Sequence, residues 1–415
     1  MVRNFFIACA ALLMPFAVAA QPLVPLPAQP EGLAWPTSSW ETGEIPPEAE
    51  AAVRELIANA MAGGRNDVAG VTHGVVIIYK GKLVAEAYGD GFGPDTKHIS
   101  WSLAKSITSA LVGRAVQLGL IEDIDAPMPG VFEVGDPRAA ITWRQWITMT
   151  DGLDYQEDAG GEFESFDAIR MMFGPGRFDV IRFIRDEFPL AHKPGTVWNY
   201  STAGFDAAGR AVQDRLLDAV SKNEIPQESP LSLKEVLEAP ELYSCTDTLP
   251  NDGPEDVWND AFEKTKPCRT AALFRRLFFK PLGMDAQPEF DPAGTYLGGS
   301  NVWASARDYA KFGYLYLRDG VWDGARLLPE GWVDQARSPA PGSNADFYGM
   351  GFWLTPAWED AFYAQGHEGQ TIWIVPSRDL VIVRLALMDE TDVNWQVQFE
   401  WNRQLTRAFP EVSAD

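Results

Sequence analysis

Residues 100–119 read SWSLAKSITSALVGRAVQLG, and the rest of the chain is best interpreted outward from them. Leu103, Ile107, Leu111 and Leu118 recur at helical spacing, and Gly119 is placed to stop the helix, so the pattern predicts a helix over 102–118. The opposite side is small rather than charged, with Ser102, Ser106, Ser109 and Gly113, and Lys105 and Arg114 carry its charge. A surface helix would carry more charge, so this one is expected to be packed around most of its circumference, with its first turn opening into a site. Ser102 and Lys105 stand three residues apart and so share a face. A serine hydroxyl attacks a carbonyl only when a base takes its proton, and a lysine serves as that base only when its pKa falls. Burial and the positive end of the helix dipole both disfavour the ammonium. The same helix end could aim the Ser102 amide at a developing oxyanion.

The 415 residues are 46% hydrophobic and 12% aromatic, enough for two closely packed lobes. Acidic residues outnumber basic ones 58 to 34, a net charge of -24 that repels phosphate backbones and anionic headgroups, so nucleic acid is not an expected partner. Arg3 precedes an apolar run over 5–18, and Ala17, Ala19 and Ala20 follow as a signal cleavage site would. Residues 1–20 therefore read as a secretory signal, and the mature protein as exported, periplasmic or secreted, without membrane insertion once the signal is removed. An uncleaved anchor is the alternative, for which the run is short of the roughly 20 apolar residues a spanning helix needs. Cys9 leaves with the signal. In an oxidising compartment Cys245 and Cys268 could form a disulfide contributing about 3 kcal/mol to its segment, the alternative being two separate thiols. The four histidines, His73, His98, His192 and His367, lack ligand-like spacing, and no metal site is expected.

Residues 21–48 are rich in proline and lack periodicity, as an extended arm would. A helix is expected over 48–62, then a β-hairpin around Lys80-Gly81-Lys82. From 121 to 285 the chain reads as helix and loop, with an acidic, cysteine-bearing insertion over 227–269. Strands return over 349–354, 362–365, 371–375 and 380–387, ahead of a helical pattern over 395–409. Strands at both ends imply one sheet built from both ends of the chain. The expected fold is α+β: a sheet lobe from 49–120 and 286–415, a mainly helical lobe from 121–285, and a cleft between them as the natural site.

Two further segments carry chemistry. Lys193-Pro194-Gly195-Thr196-Val197-Trp198-Asn199-Tyr200 sets a tyrosine in a loop leading into a helix, where it could relay a proton beside Lys105 or be an ordinary half-buried tyrosine. Gly366-His367-Glu368-Gly369-Gln370 leads into a strand, where Gly369 permits close approach and the next amide could complete an oxyanion hole. With the serine motif Ser100-Trp101-Ser102-Leu103-Ala104-Lys105-Ser106, Thr148-Met149-Thr150-Asp151-Gly152-Leu153, Lys280-Pro281-Leu282-Gly283-Met284, and Ala304-Ser305-Ala306-Arg307-Asp308 ahead of Phe312-Gly313, these segments form six ordered landmarks. In them the chain resembles the serine β-lactamase-like hydrolases, which include class C β-lactamases, D-alanyl-D-alanine carboxypeptidases, esterases and 6-aminohexanoate-dimer hydrolases. The resemblance implies an antiparallel sheet flanked by helices beside a helical lobe. It implies a nucleophile at Ser102, a base at Lys105, a relay at Tyr200, an oxyanion hole from the amides of Ser102 and Gln370, an acyl-enzyme, and no metal or organic cofactor.

Departures from the family pattern bear on substrate. The second motif, usually Tyr-x-Asn, reads Tyr200-Ser201-Thr202, and Thr202 cannot offer a substrate the same amide hydrogen bonds. The third, usually Lys-Thr-Gly, reads His367-Glu368-Gly369, which removes the attraction for the carboxylate of penicillins and peptidyl-D-alanine. The expectation is therefore a small neutral amide or ester, with the look of the 6-aminohexanoate-dimer hydrolase branch. β-Lactamase or D-amino-acid carboxypeptidase activity stands second, and a catalytically silent binding protein of the same fold third. Thr202, His367, Glu368 and Gly369, and Tyr155 just after Gly152-Leu153, are the candidates to contact substrate, and the 227–269 insertion reads as a specificity rim or as a surface excursion.

Overall fold

A computed structural model describes residues 23–64, 70–157, 165–222, 224, 264–355, 360–389 and 391–412. Helix α1 (Pro47–Ala62) precedes strands β1 (Val71–Tyr79) and β2 (Lys82–Tyr88). Their hairpin turns through Lys80 and Gly81, both left-handed at φ 48° and 76°, the conformation a tight two-residue turn needs. The chain then reaches helix α2 (Ala104–Gln117), helix α3 (Thr202–Ser221) and helix α4 (Ala306–Leu317). Strands β3 (Trp353–Leu354), β4 (Phe362–Gly366), β5 (Gln370–Val375) and β6 (Leu380–Leu387) and helix α5 (Asp392–Ala408) follow.

The strands form one antiparallel sheet in the order β2-β1-β6-β5-β4-β3, so the amino-terminal hairpin pairs with the carboxy-terminal strands through β1 and β6. Both faces are covered, which is why β5 and β6 read as nearly continuous apolar runs. Val76, Ile78, Ile372, Ile374, Val381 and Val383 face the large core shared with α2, α3 and α4. Val75, Ile77, Trp373, Val375 and Ile382 face α1 and α5, where Val53, Leu405 and Phe409 close a second core. Helix α4 lies close on the sheet because Gly313 has no side chain: a Cβ there would fall 2.7 Å from Ile372 and 2.8 Å from Val381.

The arm lies extended along the body. Thr42 bridges Leu83 on edge strand β2, Trp40 packs edge-on against Tyr314, and Trp35 packs against Tyr314 and Trp322. A small sheet of Lys97–Ile99, Val302–Ser305 and Gln287–Pro288 carries the chain into the serine motif, and the Ser100 amide donates to the Val302 carbonyl at 2.8 Å.

Two expected elements differ. The strand expected over 349–354 shortens to β3, because Gly351 takes a left-handed φ of 80° and a Cβ at Gly349 would lie 2.1 Å from the Ala336 carbonyl oxygen. The helix expected over 102–118 divides into a 3-10 turn, Trp101–Leu103, and α2. Trp101 enters that turn at φ 47°, a left-handed backbone that a bulky residue rarely adopts. Residues 1–20, Cys245 and nearly all of the 227–269 insertion lie outside the described residues. Among the described residues, no helix is long and apolar enough to cross a membrane.

Candidate active site

Ser102 sits in the 3-10 turn, and Lys105 in the first turn of α2 reaches back so that its Nζ lies 2.9 Å from Ser102 Oγ. Lys105 is 1% exposed. Its Nζ donates to Gly299 O at 2.7 Å and to Thr202 Oγ1 at 2.9 Å. Burial pushes the Lys105 pKa down, while the carboxyl groups of Glu157 and Asp206 pull it back up. Tyr200 presents its ring, whose centroid is 4.8 Å from Lys105 Nζ, and stacks on Trp353 with 5.6 Å between centroids.

The landmark turns bring these residues together by backbone contacts. Gly195 N donates to Thr150 O at 2.7 Å, Asn199 N to Met149 O at 2.9 Å, and the amides of Ala191 and His192 to Gly152 O. The 148–153 turn thereby holds the loop that carries Tyr200. Ser201 then caps α3, its hydroxyl accepting from Gly204 N. The end of β4 presses on the nucleophile turn so tightly that a Cβ at Gly366 would lie 2.1 Å from Ser100 O. This contact brings residues 366–370 beside Ser102.

Within that segment Glu368 and Gly369 take left-handed φ values of 62° and 90°. Glu368 Oε2 accepts from Trp101 Nε1 at 3.0 Å, and His367, which is exposed, meets the Trp101 ring edge-on at 5.4 Å. The Gln370 side chain turns into the sheet, donating to the carbonyls of His367 and Ala386 and accepting from Ala386 N.

Two expected substrate contacts are corrected. Thr202 is 1% exposed and hydrogen-bonds Lys105 instead of facing a cleft, because as the first residue of α3 it packs toward α2. Tyr155 is 2% exposed, set edge-on against Phe188, and its hydroxyl donates to Glu157 Oε2 at 2.8 Å. Its apolar ring is buried in the core below the loop rather than overhanging the site.

The structure adds two acids that sequence reasoning missed. Glu157 accepts from Tyr155 Oη, from Thr202 N at 2.9 Å and from Thr202 Oγ1 at 2.6 Å. Asp206, one turn beyond Thr202 on α3, accepts from Gly299 N at 2.8 Å, and burial pushes its carboxyl up to about 7. Asp206 had a sequence signal, as the one acid in the otherwise small or apolar run from Ala203 to Gly209. Glu157 had none, since it stands in the ordinary acidic stretch Gln156-Glu157-Asp158.

A sequence model of the beta-lactamase family matches residues 53–221 and 240–403. The chain belongs to the beta-lactamase family. It is a serine hydrolase of that family, with the antiparallel sheet and flanking helices of the β-lactamase and transpeptidase fold. It is 24% identical over 342 residues to the 6-aminohexanoate-dimer hydrolase of Paenarthrobacter ureafaciens, covering 77% of this chain and 74% of that protein. Among solved structures, a Bacillus anthracis protein provisionally assigned as a 6-aminohexanoate-dimer hydrolase superposes with a TM-score of 0.60 at 17% identity, covering 94% of this chain and 92% of that one. EstCE1, a hydrolase with promiscuous acyltransferase activity, superposes with a TM-score of 0.55 at 15% identity, covering 87% and 98%. These likenesses establish the fold.

Proposed function

We propose that this protein is an exported serine hydrolase that cleaves a small neutral amide or ester through an acyl-enzyme on Ser102. The supporting observation is the Lys105 amine, removed from water and 2.9 Å from the Ser102 hydroxyl. As Ser102 Oγ attacks the carbonyl, its proton passes to Lys105 Nζ, and the backbone amides of Ser102 and Gln370 receive the oxyanion. Collapse breaks the bond to the leaving group, which takes a proton by way of Tyr200. Water then hydrolyses the Ser102 ester.

The site's surroundings favour neutral substrates. Trp198, Phe347 and Trp353 form an aromatic wall beside Tyr200, with Phe347 38% exposed. Glu368 and His367 stand where a Lys-Thr pair would attract a carboxylate, which sets β-lactams and D-amino-acid peptides behind linear amides and esters. The named activity of the Paenarthrobacter relative, hydrolysis of 6-aminohexanoate dimers, points to the same class. Export rests on the apolar run over 5–18, and a Cys245–Cys268 disulfide would accompany it. Cell fractionation and thiol titration with and without reductant test that pair of statements.

The decisive experiment combines fluorophosphonate labelling with turnover of a nitrophenyl ester, a linear amide, a D-amino-acid peptide and nitrocefin. Labelling at Ser102, and a drop in turnover of about 10³-fold or more in both Ser102→Ala and Lys105→Ala, are expected. Unchanged turnover in Ser102→Ala refutes the assignment.

A further inference from the structure

The hydrogen bonds around Lys105 have a direction set from outside the pair. Glu157, as a carboxylate, can only accept, so the single hydroxyl hydrogen of Thr202 goes to Glu157 Oε1 at 2.6 Å. With that hydrogen committed, Thr202 Oγ1 can only accept from Lys105 Nζ, 2.9 Å away. Gly299 O, at 2.7 Å, is a carbonyl and also can only accept. A neutral lysine amine has two N–H bonds and one lone pair. The two obligate acceptors take both N–H bonds, and the remaining direction holds Ser102 Oγ at 2.9 Å.

We infer that Glu157 is a positioning residue which, by fixing the direction of the Thr202 hydroxyl, aims the Lys105 lone pair at the Ser102 proton. The inference rests on the reading of Lys105 as the base for Ser102. Without Glu157 the Thr202 hydroxyl is free to turn and donate to Lys105, occupying the lone pair that Ser102 needs. The carboxylate has a second anchor: its Oε2 takes the Thr202 amide, the first N–H of α3, and the Tyr155 hydroxyl. This anchoring gives the buried Tyr155 a role, since it braces Glu157 from below. Asp206 works from the other side, holding Gly299 by its amide at 2.8 Å while the Gly299 carbonyl receives Lys105. Glu157, Asp206, Tyr155 and the Tyr200 ring are thus the titratable groups gathered about the Lys105 amine.

The test compares Thr202→Val, Thr202→Ser and Glu157→Gln with the full-length wild type on a nitrophenyl ester, as kcat and KM across pH, with a thermal melt of each. Thr202→Val removes the hydroxyl at nearly constant volume and is expected to lower kcat by at least about tenfold with KM retained, while Thr202→Ser restores most of it. Glu157→Gln removes a negative charge near Lys105, which makes the ammonium easier to deprotonate, so the acid limb of kcat/KM moves to lower pH. Thr202→Val with wild-type kcat, or Glu157→Gln with an unmoved acid limb, overturns the inference. Ser102→Ala run beside them separates the two questions: if it stays active the underlying reading fails, and if it is inactive the other variants judge Glu157 alone.

Discussion

Asp151 and Asp206 are carboxyl groups in places that water does not reach, and they show what the site costs its own residues. Asp151 Oδ1 accepts from Leu153 N at 2.9 Å, but burial outweighs that bond and pushes the group up to about 6. A carboxyl raised above its ordinary 3.8 favours the folded state most fully below that value, and the advantage is lost as pH climbs through about 6. Asp151→Asn keeps the acceptor for Leu153 and carries no charge. Its stability relative to wild type is therefore expected to rise between pH 4 and pH 8, by about 1–3 kcal/mol, read as urea midpoints at the two ends. The same difference at both ends would mean that the carboxyl is not raised. At this scale the Ser102–Lys105 pair was legible because helical spacing alone puts both on one face. Tyr155 turns into the core instead of over the cleft, since the direction a loop side chain takes depends on what packs beneath it. Glu157 was invisible for the same reason: its partners Thr202 and Tyr155 are gathered by a fold rather than by a repeat.

Among the elements, the contact between the end of β4 and the 3-10 turn of Ser102 does most to shape the site. No side chain fits between Gly366 and Ser100, so the strand end and the turn move together. Gly366→Ala is expected to push them apart, displacing residues 366–370 from Ser102 by part of an ångström and lowering kcat roughly 10²-fold, with a far smaller loss of melting temperature. Equal, proportionate losses of fold and turnover would show that the contact serves only stability. Continuous and alternating apolar patterns located β6 at 380–387 and the β1–β2 hairpin from sequence, because a strand with covered faces must be apolar and a tight turn must reverse at Lys80-Gly81. The false extension of a strand to 349 arose where local apolarity competed with two glycines, and the close approach of Gly349 to Ala336 is a long-range fact.

At the scale of the whole molecule, the arm closes the sheet's edge. Gly43 N donates to Leu83 O and Leu83 N to Glu41 O, both at 2.9 Å, so β2 is partly covered by a segment outside the hairpin. The same arm covers Tyr314 and Trp322 with Trp35, and its Pro27 carbonyl receives Arg318, which is paired with Asp379 in the interior at 2.6 Å. Deleting residues 23–43 should lower the melting temperature by several degrees, at about 1 °C per kcal/mol lost for a chain of this size. Light scattering should rise as well, because an uncovered edge strand invites pairing between copies. A truncated protein with the melting temperature and the light scattering of the full chain would show the arm to be dispensable. The sequence by itself determined what depends on neighbours along the chain: helix and strand periods, the turns, the joining of serine to lysine, and, through six ordered landmarks, the family. Only the tertiary structure decided what surrounds the lysine. Its acceptors Thr202 and Gly299 lie 97 and 194 residues away, and the burial that lowers its pKa exists only once α2, α3 and the sheet have closed around it.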